Sequence, residues 1–477
     1  MKIGLVFLDK FEAAPPLSLA YIASYLRKYG EFNDIIIIDK EDHVKAVKRE
    51  KPDIVGITSV TKDFKKATET AEEIKSCFDI KTILGGVHIT QLPRTLPKCF
   101  DLGVLGEGEE TMLELMRIYE KYGEFKKDSL KKVKGVVFNE NGRFHITERR
   151  PFIEPLDKIP YPAIDLLNMD FYLKPSRMVP DKISIGTTMM TSRGCPYSCV
   201  YCASPQFWRK KTRFHSAKYV FGEMKFLEEK YKVKTIRIWD DLFTVNTKRL
   251  RELVDLIRSD GLHEKIEFYC YGRANLMTED ICKLIKKMNV KYISFGFESN
   301  SERVLNYLKR GTVTVKQNEN ALKLCKKYGF VTDGTFIFGT PGETKEDMEK
   351  TFDLIKNENL DRALAFTLTP FPGTEIWEYA KSIGVLKNEN EIDWQKIDLR
   401  KFSENIYMNK AMTKQEFLKE FDTIQKYISE VKNTSIPQIE LKYLFNPHFI
   451  RRFLSNWRGF SNEFINGVKI KLSHTKK

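Results

Sequence analysis

The feature that most constrains the fold is the alternation of short apolar runs with amphipathic helical segments, which occurs in two separate series. The first series contains five apolar runs, at residues 2–8, 34–39, 53–60, 81–85 and 102–105. Apolar runs of this length, with little polar alternation, are typical of parallel strands that are covered on both faces. The first series therefore predicts βαβ units and a doubly wound parallel sheet.

The second series begins near residue 183 and contains six strand-like runs, each followed by a helical stretch. These runs lie at residues 183–190, 235–239, 266–271, 292–297, 332–338 and 363–369. Six βα units in one series predict a partial (β/α)6 barrel of parallel strands. In such barrels the functional residues are expected at the carboxyl ends of the strands and in the loops that follow them.

These patterns predict an α/β protein with four segments. Residues 1–125 form a doubly wound, Rossmann-like domain, and residues 126–180 form a connector. The connector contains a β-hairpin around the Asn141–Gly142 turn and a proline-rich stretch. Residues 181–400 form the partial barrel, and residues 401–477 form a basic, α-helical C-terminal tail.

Composition and charge exclude several classes of protein. The 477 residues include no apolar run of the roughly 20 residues that a spanning helix needs, and the N-terminus lacks the long apolar core of a signal peptide. We therefore expect a cytoplasmic protein. Eight cysteines are too few for a disulfide scaffold in a chain of this length, but three of them fall within one short loop.

The clustered cysteines are Cys195, Cys199 and Cys202, in the loop after the first strand of the second series. A Cys-x3-Cys-x2-Cys spacing can bind a four-iron cluster from one loop and leave one iron open to another ligand. A structural zinc site is the alternative, and it needs a fourth ligand nearby. The nearest candidate, His215, follows a basic stretch.

With this motif after the first of six βα units, the sequence resembles the radical S-adenosylmethionine (SAM) enzymes. The resemblance implies that the three cysteines hold a [4Fe-4S] cluster. It also implies that the open iron binds SAM, which is cleaved to a 5′-deoxyadenosyl radical. The positions that match SAM contacts are Tyr201, Asp240, Asp241, Arg273, Glu298 and Gly339. The plainer alternatives are that the two aspartates cap a turn and that Arg273 pairs with Glu298.

A doubly wound domain placed before this barrel resembles the cobalamin-binding class of radical SAM proteins. Many cobalamin domains carry Asp-x-His-x-x-Gly after the first strand, whereas this chain has Phe11 and Ala14 at the His and Gly positions. The favoured interpretation is cobalamin bound without a histidine ligand from the protein. Its nucleotide tail is then expected among Ser59, Thr61, Gly85, Gly86 and Gly108. The alternative is a domain that has lost cobalamin. His88 either approaches the corrin or packs in the core.

The resemblance implies a cobalamin-dependent radical SAM methyltransferase that acts on an unactivated carbon. One alternative uses the same cofactors for oxidative cyclisation or rearrangement. Another is a methylthiotransferase-like RNA-modifying enzyme, which should carry three N-terminal cluster cysteines where this chain has only Cys77 and Cys99. The non-enzyme alternative is a cobalamin-binding sensor or carrier. The catalytic residues on the substrate side are not identified by the sequence.

The charge and aromatic content of the C-terminal tail indicate which kinds of partner to expect. From residue 431 onward it has nine basic residues against two acidic ones, and residues 449–460 interleave aromatic and basic side chains. Such a segment is suited to an anionic membrane surface, to nucleic acid, or to packing on the barrel. We expect a small-molecule or lipid-like substrate and an external electron donor of the flavodoxin or ferredoxin type. Peripheral contact with the inner face of the membrane is a further expectation, and nucleic acid is the least favoured partner.

Overall fold

The computed structural model describes residues 1–8, 14–173, 176–179, 182–386, 388–399, 406–433 and 438–439. These residues form two compact units, and each unit is assembled from separate stretches of chain. Unit 1 comprises described residues of Met1–Met169, Arg193–His215 and Thr367–Met408. Unit 2 comprises those of Asp170–Ser192, Ser216–Phe366 and the remainder from Asn409 onward. The cysteine loop therefore belongs to the same unit as the first sheet.

The secondary structure alternates between strands and helices along most of the described chain. The strands are β1 Ile3–Phe7, β2 Ile35–Ile38, β3 Ile54–Thr58, β4 Lys81–Gly85, β5 Leu102–Val104, β6 Val136–Glu140, β7 Arg143–Ile146, β8 Ser176–Val179, β9 Lys182–Ser184, β10 Gly186–Met189, β11 Ser192–Arg193, β12 Arg213–Phe214, β13 Thr235–Ile238, β14 Glu267–Gly272, β15 Val290–Glu298, β16 Val331–Phe338, β17 Arg362–Thr367 and β18 Gln438–Ile439. The α-helices are α1 Leu17–Gly30, α2 His43–Glu50, α3 Phe64–Cys77, α4 Val87–Gln91, α5 Glu109–Tyr122, α6 Lys127–Leu130, α7 Met169–Tyr172, α8 Ser204–Phe207, α9 Ala217–Tyr231, α10 Thr247–Asp260, α11 Leu262–Lys265, α12 Glu279–Met288, α13 Glu302–Lys309, α14 Val315–Tyr328, α15 Lys345–Lys356, α16 Glu375–Ser382 and α17 Lys414–Tyr427.

Unit 1 is built on a seven-stranded sheet with the order β2-β1-β3-β4-β5-β6-β7. Strands β1 to β5 pair in parallel, with Ile3 opposite both Ile35 and Ile54. Side chains of β1 and β3 are buried throughout most of their length because helices cover both faces of the sheet. The predicted doubly wound sheet is confirmed. The hairpin β6–β7 turns at Asn141 and Gly142 and extends this sheet with two antiparallel strands.

Unit 2 is built on a six-stranded sheet with the order β10-β13-β14-β15-β16-β17, in which consecutive strands along the chain are neighbours. The pairings from β10 to β16 are parallel. This arrangement matches the six predicted βα units, and it confirms the partial barrel. Alternate residues such as Ile236, Ile238, Phe268 and Ile293 are fully buried on one side of the sheet, where an apolar helical layer packs against them.

The C-terminal part of unit 2 is described only in part. Helix α17 begins at a capping box, in which Thr413 and Glu416 exchange hydrogen bonds with each other's backbone N–H. Phe417 and Phe421 on this helix are buried. The aromatic and basic segment at residues 449–460 lies outside the described residues. Among the helices that the structure describes, none has the length and apolar character needed to cross a membrane.

Candidate functional site

The three clustered cysteines lie on one loop of unit 1, between β11 and α8, and each is half-buried. The loop starts at Gly194, whose φ is +94°. A Cβ at this position would lie 2.0 Å from the Lys211 carbonyl oxygen, so only glycine allows this turn. Further along, the Cys202 N–H donates to the Cys199 carbonyl at 3.2 Å. The thiols are therefore presented from one tight loop.

The donor set fits a four-iron cluster better than a single metal ion. All eight cysteines lie among the described residues, and they form no disulfide. Within the same residues, no three His, Cys, Asp or Glu side chains converge closely enough to hold one ion. His215 is 2% exposed, and its Nδ1 lies 3.1 Å from Asp157 Oδ1. A structural zinc site needs a fourth ligand beside the three cysteines, whereas a cluster spreads three thiolates over separate irons and needs no fourth ligand from the protein.

A buried network of two arginines and two glutamates holds both ends of the segment that contains the cysteine loop. Arg193 reaches Glu107 and Glu109, each at 2.6 Å, and Arg213 reaches Glu107 at 2.8 Å. The four side chains are between 3% and 8% exposed. Burial alone would raise the pKa of Glu107, but the adjacent guanidinium groups outweigh it and hold that pKa below its usual value. The loop after β5 thus fixes the cysteine loop.

This network was not predicted from the sequence. The sequence pattern identifies the acidic start of α5 only as favourable charge at a helix N-terminus. Arg193 and Glu107 are 86 residues apart along the chain. The available sequence signal is Glu107 itself, just after a predicted parallel strand. A carboxylate that is buried at such a position needs a cation beside it.

Asp240 lies at the end of β13, as predicted, and its carboxylate accepts four hydrogen bonds. The donors are the N–H and hydroxyl of Thr191 and the N–H and hydroxyl of Ser192, at 2.5 to 3.0 Å. Arg249 Nη2 lies 3.9 Å away. Asp240 is 2% exposed, whereas Asp241 beside it is exposed. These hydrogen bonds to the Asp240 carboxylate hold Thr191 and Ser192, which follow β10, in place.

Arg273 and Glu298 lie at the carboxyl ends of β14 and β15, and both are buried. Arg273 donates to Thr312 Oγ1 at 2.6 Å and to Asn275 Oδ1 at 3.0 Å. Glu298 Oε1 lies 3.3 Å from the Lys309 ammonium group. The Glu298 backbone has a φ of +64°, a conformation that residues other than glycine rarely adopt. Such strain at a strand end is common where a side chain must be aimed at a ligand.

Gly339 opens a turn that is closed by Glu343. Glu343 Oε2 accepts from the Gly339 N–H at 2.6 Å and from the Thr340 N–H at 3.0 Å. The carboxyl is fully buried, and this burial raises its pKa to about 8. Phe417 of α17 packs against Gly339. Glu343 was not among the predicted site residues, although it lies only four residues after Gly339.

The remaining predicted SAM position, Tyr201, lies in the cysteine loop of unit 1 and is half-buried. Asp240, Asp241, Arg273, Glu298 and Gly339 belong to unit 2, where all five lie at carboxyl ends of strands of one sheet.

The predicted cobalamin positions lie at the carboxyl ends of β3, β4 and β5. The Ser59 N–H donates to the Gly85 carbonyl at 3.0 Å. Gly86 has a φ of +104°, and a Cβ there would lie 2.2 Å from the Ser59 carbonyl oxygen. Ser59 and Thr61 are 4% and 5% exposed, and the Ser59 hydroxyl has no partner among the described residues. An orphaned buried hydroxyl beside a glycine cradle fits a polar ligand such as a nucleotide tail.

Gly108 lies close to α1, because a Cβ there would lie 2.9 Å from Ile22. Its lack of a side chain allows α5 to approach α1. Gly106, two residues earlier, has a φ of +81° and open space where a Cβ would be. Of the two glycines, Gly106 is the one beside open space.

His88 is a packing residue. It is fully buried and stacks on Phe64 with 3.9 Å between ring centroids, while Trp394 meets it edge-on at 4.6 Å. Burial lowers the pKa of His88 to about 3, so the ring is neutral. The motif position Phe11 lies outside the described residues.

A group of aromatic and cationic side chains in unit 2 was missed by the sequence analysis. Trp239 follows β13 and is 39% exposed, and its indole N–H donates to the Tyr271 hydroxyl at 3.2 Å. Arg237 donates to the same hydroxyl. These residues lie on the side of the sheet opposite to the fully buried Ile236 and Ile238. The sequence signal that could have identified this group is Trp239, a large aromatic residue at the end of a predicted barrel strand.

Two family models match the chain. The model of the Radical SAM superfamily matches residues 189–355, and the model of the B12 binding domain matches residues 11–116. The first match contains the cysteine loop and most strands of the second sheet. The second match covers most of the doubly wound sheet.

Similar proteins share these two parts. An uncharacterized methyltransferase of Pyrococcus horikoshii is 37% identical over 393 residues, which is 80% of this chain and 81% of that protein. An anaerobic magnesium-protoporphyrin IX monomethyl ester cyclase of Rubrivivax gelatinosus is 31% identical, over 76% of this chain and 66% of that protein. The radical SAM methyltransferase TsrM of Kitasatospora setae has the same fold, with a TM-score of 0.72, 18% identity and complete coverage of both chains. The chain belongs to the radical SAM enzymes that carry an N-terminal B12-binding domain.

Proposed function

We propose that this enzyme is a cobalamin-dependent methyltransferase that acts on an unactivated carbon of a small molecule. The observation that carries this proposal is that unit 1 holds both the three-cysteine loop and the Ser59–Gly86 cradle of the B12-binding sheet. The similarity to the methyltransferase of P. horikoshii supports methyl transfer. Relatives named bacteriochlorophyllide methyltransferases, from Chlorobaculum tepidum, are 23% identical.

The residues of this chain have three tasks in the proposed reaction. When bound, the cluster with SAM supplies a 5′-deoxyadenosyl radical, and cobalamin supplies the methyl group. Cys195, Cys199 and Cys202 bind three irons as thiolates. The hydroxyl of Ser59 offers a hydrogen bond to the nucleotide tail of cobalamin, and Gly86 lets the loop after β4 approach the Ser59 backbone closely.

The other residues hold these groups in place. Arg193 and Arg213, both paired with Glu107, fix the two ends of the cysteine segment. Asp240 orders the backbone of Thr191 and Ser192 immediately before this segment. Tyr201, Asp240, Asp241, Arg273, Glu298 and Gly339 remain the proposed SAM contacts.

Oxidative cyclisation is the second candidate, because the cyclase of R. gelatinosus is 31% identical to this chain. The RNA-modifying alternative is less favoured, because the matching methylthiotransferase of Methanocaldococcus jannaschii covers only 44% of this chain. The proposed setting is the cytoplasm, with an external one-electron donor. Peripheral contact of the C-terminal tail with the membrane remains a proposal.

The test begins with metal content. Protein purified anaerobically, with cobalamin supplied, is expected to hold about four irons and about one cobalt per chain. The variant Cys199→Ala should lose iron and SAM cleavage but retain cobalt. Incubation with methyl-deuterated SAM and a small-molecule extract should then place the label in a product. Iron without cobalt would contradict cobalamin-dependent transfer, and an unlabelled cyclised product would favour the cyclase.

A further inference from the structure

A run of three cations follows the cysteine loop in unit 1. Helix α8 ends at Phe207, and the chain then turns through Arg209, Lys210 and Lys211, which are all exposed. We call these three residues the basic turn. They form a compact positive surface seven to nine residues after Cys202.

The basic turn packs directly against the start of the cysteine loop. A Cβ on Gly194 would lie 2.0 Å from the Lys211 carbonyl oxygen and 3.0 Å from the Cβ of Trp208. Gly194 immediately precedes Cys195. The backbone of the basic turn is therefore in van der Waals contact with the residue next to a cluster ligand.

The backbone of the turn is held in a conformation that does not favour long side chains. Arg209 and Lys210 have φ values of +49° and +58°. Glycine or asparagine would adopt this left-handed conformation more easily. Hydrogen bonds from the Lys210 N–H to the Pro205 carbonyl at 3.0 Å and from the Lys211 N–H to the Trp208 carbonyl at 2.9 Å maintain it. The fold thus exposes Arg209 and Lys210 at positions that local preference would give to smaller residues, with the Arg209 guanidinium 5.2 Å from the centroid of the Phe152 ring.

The positive charge of this surface is largely uncompensated. Among the described residues, no carboxylate lies within ion-pair distance of Arg209 or Lys210, while Lys211 has an exposed pair with Glu154 at 2.8 Å. Arg149 is a further cation near this surface: burial, and then the charge of Arg209, lowers its pKa. Exposed ion pairs exchange readily. The surface is therefore suited to an acidic partner.

We propose that the basic turn is the docking site for an acidic one-electron carrier protein of the flavodoxin type. This inference rests on the proposed function, since only a cluster beneath the turn needs an electron from outside. In the step, the reduced carrier loses one electron and the cluster gains it, while no bond is made or broken. Opposite charges on the two surfaces speed the encounter and orient the partners.

The test compares two reductants on two charge-reversed variants. The first variant, Arg209→Glu with Lys210→Glu, reverses the basic turn. The second, Lys286→Glu with Lys287→Glu, reverses two exposed cations in the last turn of α12 in unit 2 and changes the net charge equally. Iron content is measured first. Stopped-flow absorbance then follows reduction of the cluster by reduced flavodoxin and, separately, by dithionite.

The basic-turn variant should be reduced by flavodoxin at least about tenfold more slowly than wild type, and it should lose most of the dependence of this rate on salt. Dithionite is small and needs no docking surface, so its rate should change less than about twofold. The control variant should behave as wild type with both reductants. If the charge reversal lowers iron content, Arg209→Gln with Lys210→Gln should give a smaller slowing with flavodoxin alone.

Three outcomes would overturn the docking site. Equal flavodoxin rates in wild type and variant would exclude it, and equal slowing with both reductants would assign the turn to support of the cluster. Loss of binding to a tRNA probe without a change in the flavodoxin rate would assign the surface to nucleic acid. Absence of iron or of dithionite reduction in wild type would instead contradict the proposed function, so the two failures are distinguishable.

Discussion

At the scale of single residues, the electrostatics of unit 1 depend on Glu107. A carboxylate in a water-excluded site is stable only beside cations, and the two arginines are themselves buried. Removal of Glu107 leaves Arg193 with Glu109 and leaves Arg213 with the Ile153 carbonyl. Without Glu107, the single carboxylate of Glu109 is therefore left to compensate two buried guanidinium charges.

We therefore expect Glu107→Ala to lower the free energy of unfolding by about 3 kcal/mol, the usual effect of breaking a buried pair. It should also reduce the iron content, because Arg193 adjoins the cysteine loop. Urea denaturation and iron analysis provide the measurements. Glu154→Ala, which removes only the exposed partner of Lys211, should change neither value measurably. Unchanged stability in Glu107→Ala would contradict the assigned role of the network.

Glu343 gives a second prediction at this scale. Burial raises its pKa to about 8 in the folded state, from an ordinary value of 4.5. The folded protein therefore binds a proton that the unfolded chain releases between these two values. Consequently, the contribution of this group to stability is complete below about pH 4.5 and is lost as the pH rises toward about 8.

The variant Glu343→Gln keeps an acceptor for the N–H groups of Gly339 and Thr340 but cannot ionise. Its stability should therefore fall less than that of wild type between pH 5 and pH 8. Denaturation midpoints at several pH values in about this range measure the difference. Identical pH dependence in the two proteins would show that the carboxyl is already ionised in the fold.

At the scale of elements, the cysteine loop and the strand-end loops show how backbone geometry limits the sequence. Gly194 and Gly142 both have positive φ, at +94° and +83°, but only Gly194 has atoms of another segment where a Cβ would lie. Alanine at Gly142 meets nothing within 4 Å. Comparison of alanine at the two positions therefore separates the free-energy cost of a left-handed backbone from the additional cost of a steric clash.

Gly142→Ala should lower the free energy of unfolding by about 1 kcal/mol, the cost of a left-handed residue with a side chain. Gly194→Ala should cost clearly more and should lower iron content, because the Lys211 carbonyl must move away from the loop. Chemical denaturation and iron analysis of both variants test this. Equal effects of the two substitutions would mean that the contact with Lys211 is not needed.

At the scale of the whole molecule, the two cofactor sites of unit 1 should be separable. The predicted cobalamin positions lie at the carboxyl ends of β3, β4 and β5, and none of the three cysteines is among them. A ligand that binds only the folded state stabilises it by mass action, by about 2.7 kcal/mol at 100 times its Kd.

Hydroxocobalamin should therefore raise the thermal midpoint of wild type and of Cys199→Ala by similar amounts, as measured by differential scanning calorimetry. Ser59→Ala should show a smaller shift, although removal of an unpaired buried hydroxyl should not destabilise the protein without cobalamin. A shift that disappears in Cys199→Ala would contradict separate sites.

Much of this architecture could be predicted because it depends on local patterns. Buried residues recur at regular intervals along a strand and along a helix, so ten of the eleven predicted strands appear with ends that differ by a few residues. The eleventh, predicted at residues 183–190, is divided between β9 and β10, and only β10 belongs to the six-stranded sheet. The cysteine loop was equally accessible, because its three ligands lie within eight residues. Neither the doubly wound sheet nor the barrel required knowledge of distant contacts.

The roles of individual strand-end residues could not be predicted in the same way. Asp240 was expected as a SAM contact or a turn cap, but its four hydrogen bonds from Thr191 and Ser192, immediately before the cysteine segment, were not foreseen. His88 remained undecided until its packing between Phe64 and Trp394 was known. In both cases the deciding partner lies far away in sequence.

The sequence by itself determined the two series of strands, the cysteine spacing and the family, because periodic burial and closely spaced ligands are properties of short segments. Only the tertiary structure decided that Arg193 and Arg213 share Glu107, that Ser59 lies beside Gly86, and that the basic turn lies against Gly194. Charge pairing and close backbone approach depend on which loops the folded chain brings together. That information is distributed over the whole chain and belongs to no local pattern.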